Sequence, residues 1–204
     1  MITARAAGRY IDKTPNQRKL MYDDGGIAEI VEVIMYADSR SASFTRRLAP
    51  QLKGATDRET LYNIWKFTRS NVRYVRDQVG KEVIKSPGKF WADRKGDCKS
   101  FTIFEGSILK NLGYRYKYRV ALYDPKNPES GHIYPVVMLK GKEVILDAVH
   151  TRFDDEVPYW KAYDYSPGRS SISGTEVPKP SKTGQLAWAV AGVALVIGAI
   201  KLFA

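Results

Sequence analysis

The sequence predicts an α+β fold, a helical N-terminal half feeding an antiparallel sheet, followed by a C-terminal transmembrane helix. Three observations carry this. Apolar residues recur at helical spacing as far as Leu112, they alternate with other residues from Tyr116 to Leu122, and Leu186 to Ile200 holds no charged residue. At 204 residues, 44% hydrophobic and 12% aromatic, the chain can bury one well-packed core and still carry appendages.

The basic N-terminus, Met1 to Tyr10, lacks a continuous apolar stretch and does not read as a secretory signal. Ile27, Ile30, Val31 and Ile34 mark a first helix between Gly26 and Ser39. Phe44, Leu48 and Leu52 suggest a second, ending near Pro50 to Gly54. Residues 1–55 thus form an N-terminal helical segment. A core over 56–165 opens with Thr56-Asp57-Arg58-Glu59, a capping box in which Thr56 accepts from the Glu59 amide and Glu59 reaches back. Leu61, Ile64, Trp65 and Thr68 share one face of that helix. Asn71 to Val75 reads as a short extended piece, followed by a loop that runs through Ser86-Pro87-Gly88 to Trp91. A further helix begins at Cys98, with Phe101, Phe104, Ile108 and Leu112 as its buried stripe and Gly113 as its stop. Strands are expected at Tyr116 to Leu122, His132 to Leu139 and Glu143 to Asp147, the last two turning at Gly141-Lys142.

Residues 166–184, rich in Pro, Gly and Ser, read as a linker. Beyond them, residues 185–204 give about 20 positions once Lys201 is allowed to snorkel, roughly what a ~30 Å hydrocarbon core needs. Ala187, Ala191, Ala194 and Gly198 form a small-residue stripe suited to helix–helix self-association. The formal charge of +11 favours anionic lipid or another polyanion as a neighbour. No dense basic cluster interleaved with aromatics and no DNA-reading motif accompanies it, which argues against sequence-specific nucleic-acid binding.

Cys98, the single cysteine, sits in Gly96-Asp97-Cys98-Lys99-Ser100-Phe101, where a turn signal runs into the helical pattern. The helix start favours its thiolate and supplies unpaired backbone N–H groups for an oxyanion. His132 opens one apolar strand and Asp147 ends the next, so Cys98, His132 and Asp147 read as nucleophile, base and orienter. His150, the other histidine, ranks below His132 because it lies in a segment leaving the sheet. Turning the hairpin at Gly141-Lys142 pairs Val136 with Asp147, on the same face as His132 but ~13 Å along the strand. Contact therefore requires a shifted register, or a bulge for which Pro135 is the natural place. Trp91 and Tyr74 are candidates to wall the cleft or assist the oxyanion.

Tyr74 to Asp77, Ser86-Pro87, Arg94 to Phe101, Leu112-Gly113-Tyr114, Gly131 to Val137 and Leu146 to Val149 resemble the transglutaminase-like, papain-related superfamily over about residues 57 to 150. The resemblance implies a catalytic helix packed on an antiparallel sheet, with Cys98 as nucleophile, His132 as base and Asp147 as orienter. It also implies attack on an amide, departure of ammonia or an amine, and an acyl-enzyme passed to water or another amine, with no metal or organic cofactor. Two positions depart from the commonest pattern: Lys99 stands where many transglutaminases have tryptophan, and Pro135 where many have a polar or acidic residue. The first puts protein cross-linking in doubt.

Taken together, these features describe a membrane-anchored thiol amidase, peptidase or acyltransferase acting on a protein or peptide amide. Its domain would lie on the cytoplasmic or virion-interior side of a cellular or viral membrane. The alternative is a non-catalytic, membrane-tethered structural or assembly protein of a cell envelope or lipid-containing virus that keeps the same fold.

Overall fold

The computed structural model describes residues 2–14, 18–78, 81–168 and 198–203. Its organising element is helix α5, Cys98–Asn111, whose residues from Lys99 to Leu109 are all buried. A helix apolar on one stripe only could not be so enclosed. In α5 the polar positions Ser100, Thr102 and Ser107 are small, and each bonds locally or to a neighbouring element.

Before α5 come α1 (Ala4–Ala7), α2 (Ile27–Thr45), a 3-10 turn (Ala49–Leu52), α3 (Asp57–Asn71) and α4 (Pro87–Asp93). The α5 helix separates two apolar clusters. On one side Leu61, Ile64, Phe67, Phe90 and Trp91 meet Phe101, Phe104 and Ile108. On the other, Val31 and Ile34 of α2 meet Ile84, Ile103, Tyr118 and Val120. Thr56 caps α3 by accepting from the Glu59 amide at 3.1 Å, as expected; Glu59 reaches past Thr56 and accepts from the Ala55 amide at 2.7 Å. Ser86 to Trp91, expected as a loop, is instead the start of α4. The Ser86 hydroxyl caps the Lys89 amide, and Pro87 occupies the first helical position, where a missing N–H costs nothing.

Among the described residues nine strands form three sheets. Strands β2 (Arg73–Tyr74) and β4 (Lys95–Gly96) make a short parallel pair leading into α5. The main sheet is antiparallel, in the order β7 (Lys142–Ile145), β6 (Asn127–Leu139), β5 (Tyr116–Asp124), β8 (Lys161–Tyr165). The third sheet joins β1 (Arg18–Gly25), β9 (Gly198–Phe203) and β3 (Lys81–Lys85).

The β6–β7 register settles the distance problem. Leu139 pairs with Lys142, so the turn is Lys140-Gly141, both at positive φ (50° and 81°), as a tight two-residue hairpin requires. Val136 therefore opposes Ile145, and the chain leaves the ladder after Leu146 donates its N–H to the Pro135 carbonyl at 3.0 Å. Relative to the expected pairing the register has moved by two residues, which brings Asp147 opposite Tyr134 and diagonal to His132. No bulge at Pro135 is needed.

Of the C-terminal helix expected over 185–204, only Gly198–Phe203 falls among the described residues, where it is strand β9, antiparallel to β1 and parallel to β3. Its backbone groups pair on both sides, covering what would be two open edges. The linker beyond Gly168 and the rest of the uncharged run lie outside the described residues. Among the described residues no helix is long and apolar enough to cross a membrane.

Candidate active site

Asp97 caps α5: its Oδ1 accepts from the Ser100 amide at 3.3 Å, which places Cys98 at the first helical position with its own N–H lacking an intrahelical partner. The thiol then meets the edge of β6. Because β7 ends at Ile145, the β6 groups that would face it beyond Pro135 are open, and residues Cys98 and Thr102, one helical turn apart, fill that edge. The Thr102 hydroxyl donates to the Ile133 carbonyl at 2.8 Å, and the Ile133 N–H points at the Cys98 sulfur, as does the Lys99 amide. Pro135 suits this strand because its missing N–H falls where the β7 ladder closes.

His132 precedes Ile133. Its Nε2–H donates to Asp147 Oδ2 at 2.7 Å, so Nδ1 is the ring nitrogen left for other chemistry. Asp147 is itself held: its Oδ1 accepts from the Val149 amide at 3.0 Å and its carbonyl accepts from the Trp65 indole N–H at 2.9 Å. The structure thus brings His132 and Asp147 into contact and sets the residue after His132 against the thiol. His150 lies in its own turn, accepting the Arg152 amide at 3.3 Å and approaching Asp155, so it is engaged elsewhere.

Electrostatics at the sulfur differ from the sequence expectation. Burial pushes the Cys98 thiol up to about 12, helped by the charges of Asp147 and Glu82 and opposed by the Ile133 and Lys99 amides. Burial outweighs the helix start, and the resting group is a neutral thiol. Two tyrosines feel the sulfur. Tyr74, its ring tilted against Phe101 at 6.3 Å, and Tyr123 are each pushed up to about 12, mainly by burial, so both keep a phenolic proton to donate. Trp91, by contrast, is a core residue, stacked at 5.2 Å on Phe67 under the Arg94 guanidinium, and cannot wall the cleft.

Sequence reasoning missed four residues around the thiol and the His132–Asp147 pair. Tyr123 ends an alternating strand and carries no motif. Glu105, seven residues along α5, is 1% exposed, its Oε1 has no hydrogen-bond partner, and burial together with Asp147 raises its carboxyl well above the usual range. Asp77 and Glu82 belong to a segment whose strand went unrecognised, and both reach Lys99.

The chain is similar to several known proteins. A protein from Pyrococcus furiosus, UPF0252 protein PF0978, is 31% identical over 77 residues, which cover 38% of this chain and 23% of that protein's length. The chain thus spans under a quarter of that relative. Among solved structures, Legionella pneumophila LapG superposes with a TM-score of 0.44 at 19% identity, over 59% of this chain and 75% of LapG. A TGase superposes with a TM-score of 0.39 at 10% identity, over 63% of this chain and 34% of its own. The model of the transglutaminase-like domain (DUF553) matches residues 43–163, more than half of the chain and all of α3 through β7. The protein carrying this helix-heading cysteine and strand-borne His–Asp pair belongs to the transglutaminase-like domain family.

Proposed function

We propose that the protein is a thiol-dependent amidase, peptidase or acyltransferase in which Cys98, His132 and Asp147 act as a triad. The observation that supports this most is the 2.7 Å His132–Asp147 bond beside the sulfur that Ile133 contacts. Because the resting thiol is neutral, attack is coupled to proton transfer. His132 Nδ1 takes the thiol proton as the sulfur electron pair adds to the amide carbon and the carbonyl electrons move to oxygen. The first-turn N–H of Cys98 and a phenol from Tyr74 or Tyr123 stand ready to receive that oxyanion. Collapse breaks the C–N bond, and the departing amine takes the proton from His132. Water or a second amine, deprotonated by His132, then cleaves the thioester and regenerates the thiol.

The test is to incubate the protein with glutamine-containing peptides, with and without a primary amine. Ammonia release, peptide cleavage and amine incorporation are followed together with the intact mass of the enzyme. Turnover or a trapped acyl-enzyme that disappears in Cys98→Ala and falls at least about 100-fold in His132→Ala supports the reading. A Cys98→Ala variant as active as the wild type overturns it.

Membrane anchoring through residues 185–204 is a separate proposal. It excludes β9: with Gly198–Phe203 in the sheet, the uncharged residues before it would form a helix of about 18 Å, short of the ~30 Å core. Anchoring requires that strand to leave the sheet.

A further inference from the structure

Lys99, one residue past the nucleophile, is an unusual lysine. Its side chain is 8% exposed, and its ammonium lies 2.5 Å from Glu82, 3.4 Å from Asp77 and in direct contact with Asp97. The three carboxylates come from three places: the cap of α5, the segment after β2, and β3. Their ligand oxygens all lie within 4.8 Å of one another, the spacing of a divalent-cation site. Two of the acids also hold backbone. Asp97 takes the Ser100 amide, and Asp77 takes the Val83 amide at 2.7 Å; Lys85 of β3 in turn donates its N–H to the Ser100 hydroxyl at 3.2 Å.

We infer that Lys99 is a positioning residue, the built-in cation of a three-carboxylate cage that fastens the head of α5 to β3 and offsets acidic charge beside Cys98. The inference rests on the reading of Cys98 as nucleophile. Three like charges so close are unfavourable without a cation between them, and the ammonium occupies that place. The charge reaches the thiol, since Glu82 is among the groups that hold the proton on Cys98. A tethered ammonium does there what a calcium ion could do, with no dependence on its supply.

The experiment follows the pH dependence of Cys98 alkylation by iodoacetamide, which needs no substrate. In Lys99→Met, which keeps the apolar stem, labelling at a given pH below the thiol's titration should fall about tenfold, the equivalent of one pKa unit. Adding Asp77→Asn and Glu82→Gln to Lys99→Met should return the rate to within about threefold of wild type. In Lys99→Ala, which vacates the cage, millimolar Ca²⁺ should restore labelling and EDTA reverse it, while wild type responds to neither. Should Lys99→Met fail to fold, recovery of folding in the triple variant supports the cage, and failure of both overturns it. An unchanged labelling profile in Lys99→Met also overturns it. If instead wild type and His132→Ala label identically while Lys99→Met is shifted, the cage stands and the triad reading fails.

Discussion

At the scale of single residues, the thiol and the buried glutamate set the pH behaviour. Cys98 is pushed up from about 9 to about 12, so the fold favours its protonated form. Its contribution to stability is complete below pH 9 and is lost as pH rises toward 12. At pH 7 iodoacetamide should label it more slowly than a free thiol, with the rate rising steeply above pH 9, and His132→Ala should slow the pH 7 reaction further by removing the proton acceptor. Stopped-time mass spectrometry reads both, and an inflection below pH 8 would contradict the buried neutral thiol. Glu105, raised by burial first and then by Asp147, is likewise stabilising only when protonated. Its contribution is full below its unfolded value near 4.5 and declines as pH climbs through the folded one. Glu105→Gln can still accept the Ala148 amide that Glu105 accepts but never ionises. Its melting temperature should therefore pull ahead of wild type between pH 4 and pH 8. A gap independent of pH in thermal melts would show that Glu105 is not titrating.

At the scale of elements, two glycines, one inside α5 and one just past its end, make opposite demands. A Cβ at Gly106 would sit 2.0 Å from the Tyr118 hydroxyl, which donates to buried Asp38 at 2.6 Å. Gly106→Ala should destabilise by at least about 2 kcal/mol in urea unfolding, because the helix must lift off β5 and disturb that bond. Gly113 has φ +76° with open space around it, so Gly113→Ala should cost only about 1 kcal/mol, from backbone strain alone. The α5 helix was legible because Asp97, the apolar stripe and Gly113 agree on its start, buried face and stop. The α4 helix was not, since Ser86-Pro87-Gly88 is both a turn signal and a helix start, and packing of Phe90 and Trp91 into the core decides between them. Strands β3 and β8, five residues each, are too short and too charged to show a period. The three candidate residues could be named from order and spacing, but the contact of His132 with Asp147 could not. It depends on a turn one residue away from where the glycine suggested it, and the Lys99 cage depends on β3.

At the scale of the whole molecule, the third sheet is closed by β9, which pairs with segments far upstream in sequence. A chain ending at residue 184 should keep α5 and the main sheet but lose the partner of β3. Amides of Lys81–Lys85 should then exchange hydrogen markedly faster, while those of β6 keep their protection. Unchanged exchange in β3 would mean that the C-terminal strand does not hold it, and would leave those residues for a bilayer. The Lys140-Gly141 turn carries a different consequence, for how this gene can diverge. Asp147 has a phase, counted from that turn. One inserted codon would send the carboxylate to the opposite side of the hairpin, and two would restore its side but slide it about 7 Å from the imidazole. A deletion-and-insertion scan should thus find the hairpin tip tolerant of many residue identities and intolerant of any change in length, although no atom of the tip belongs to the site.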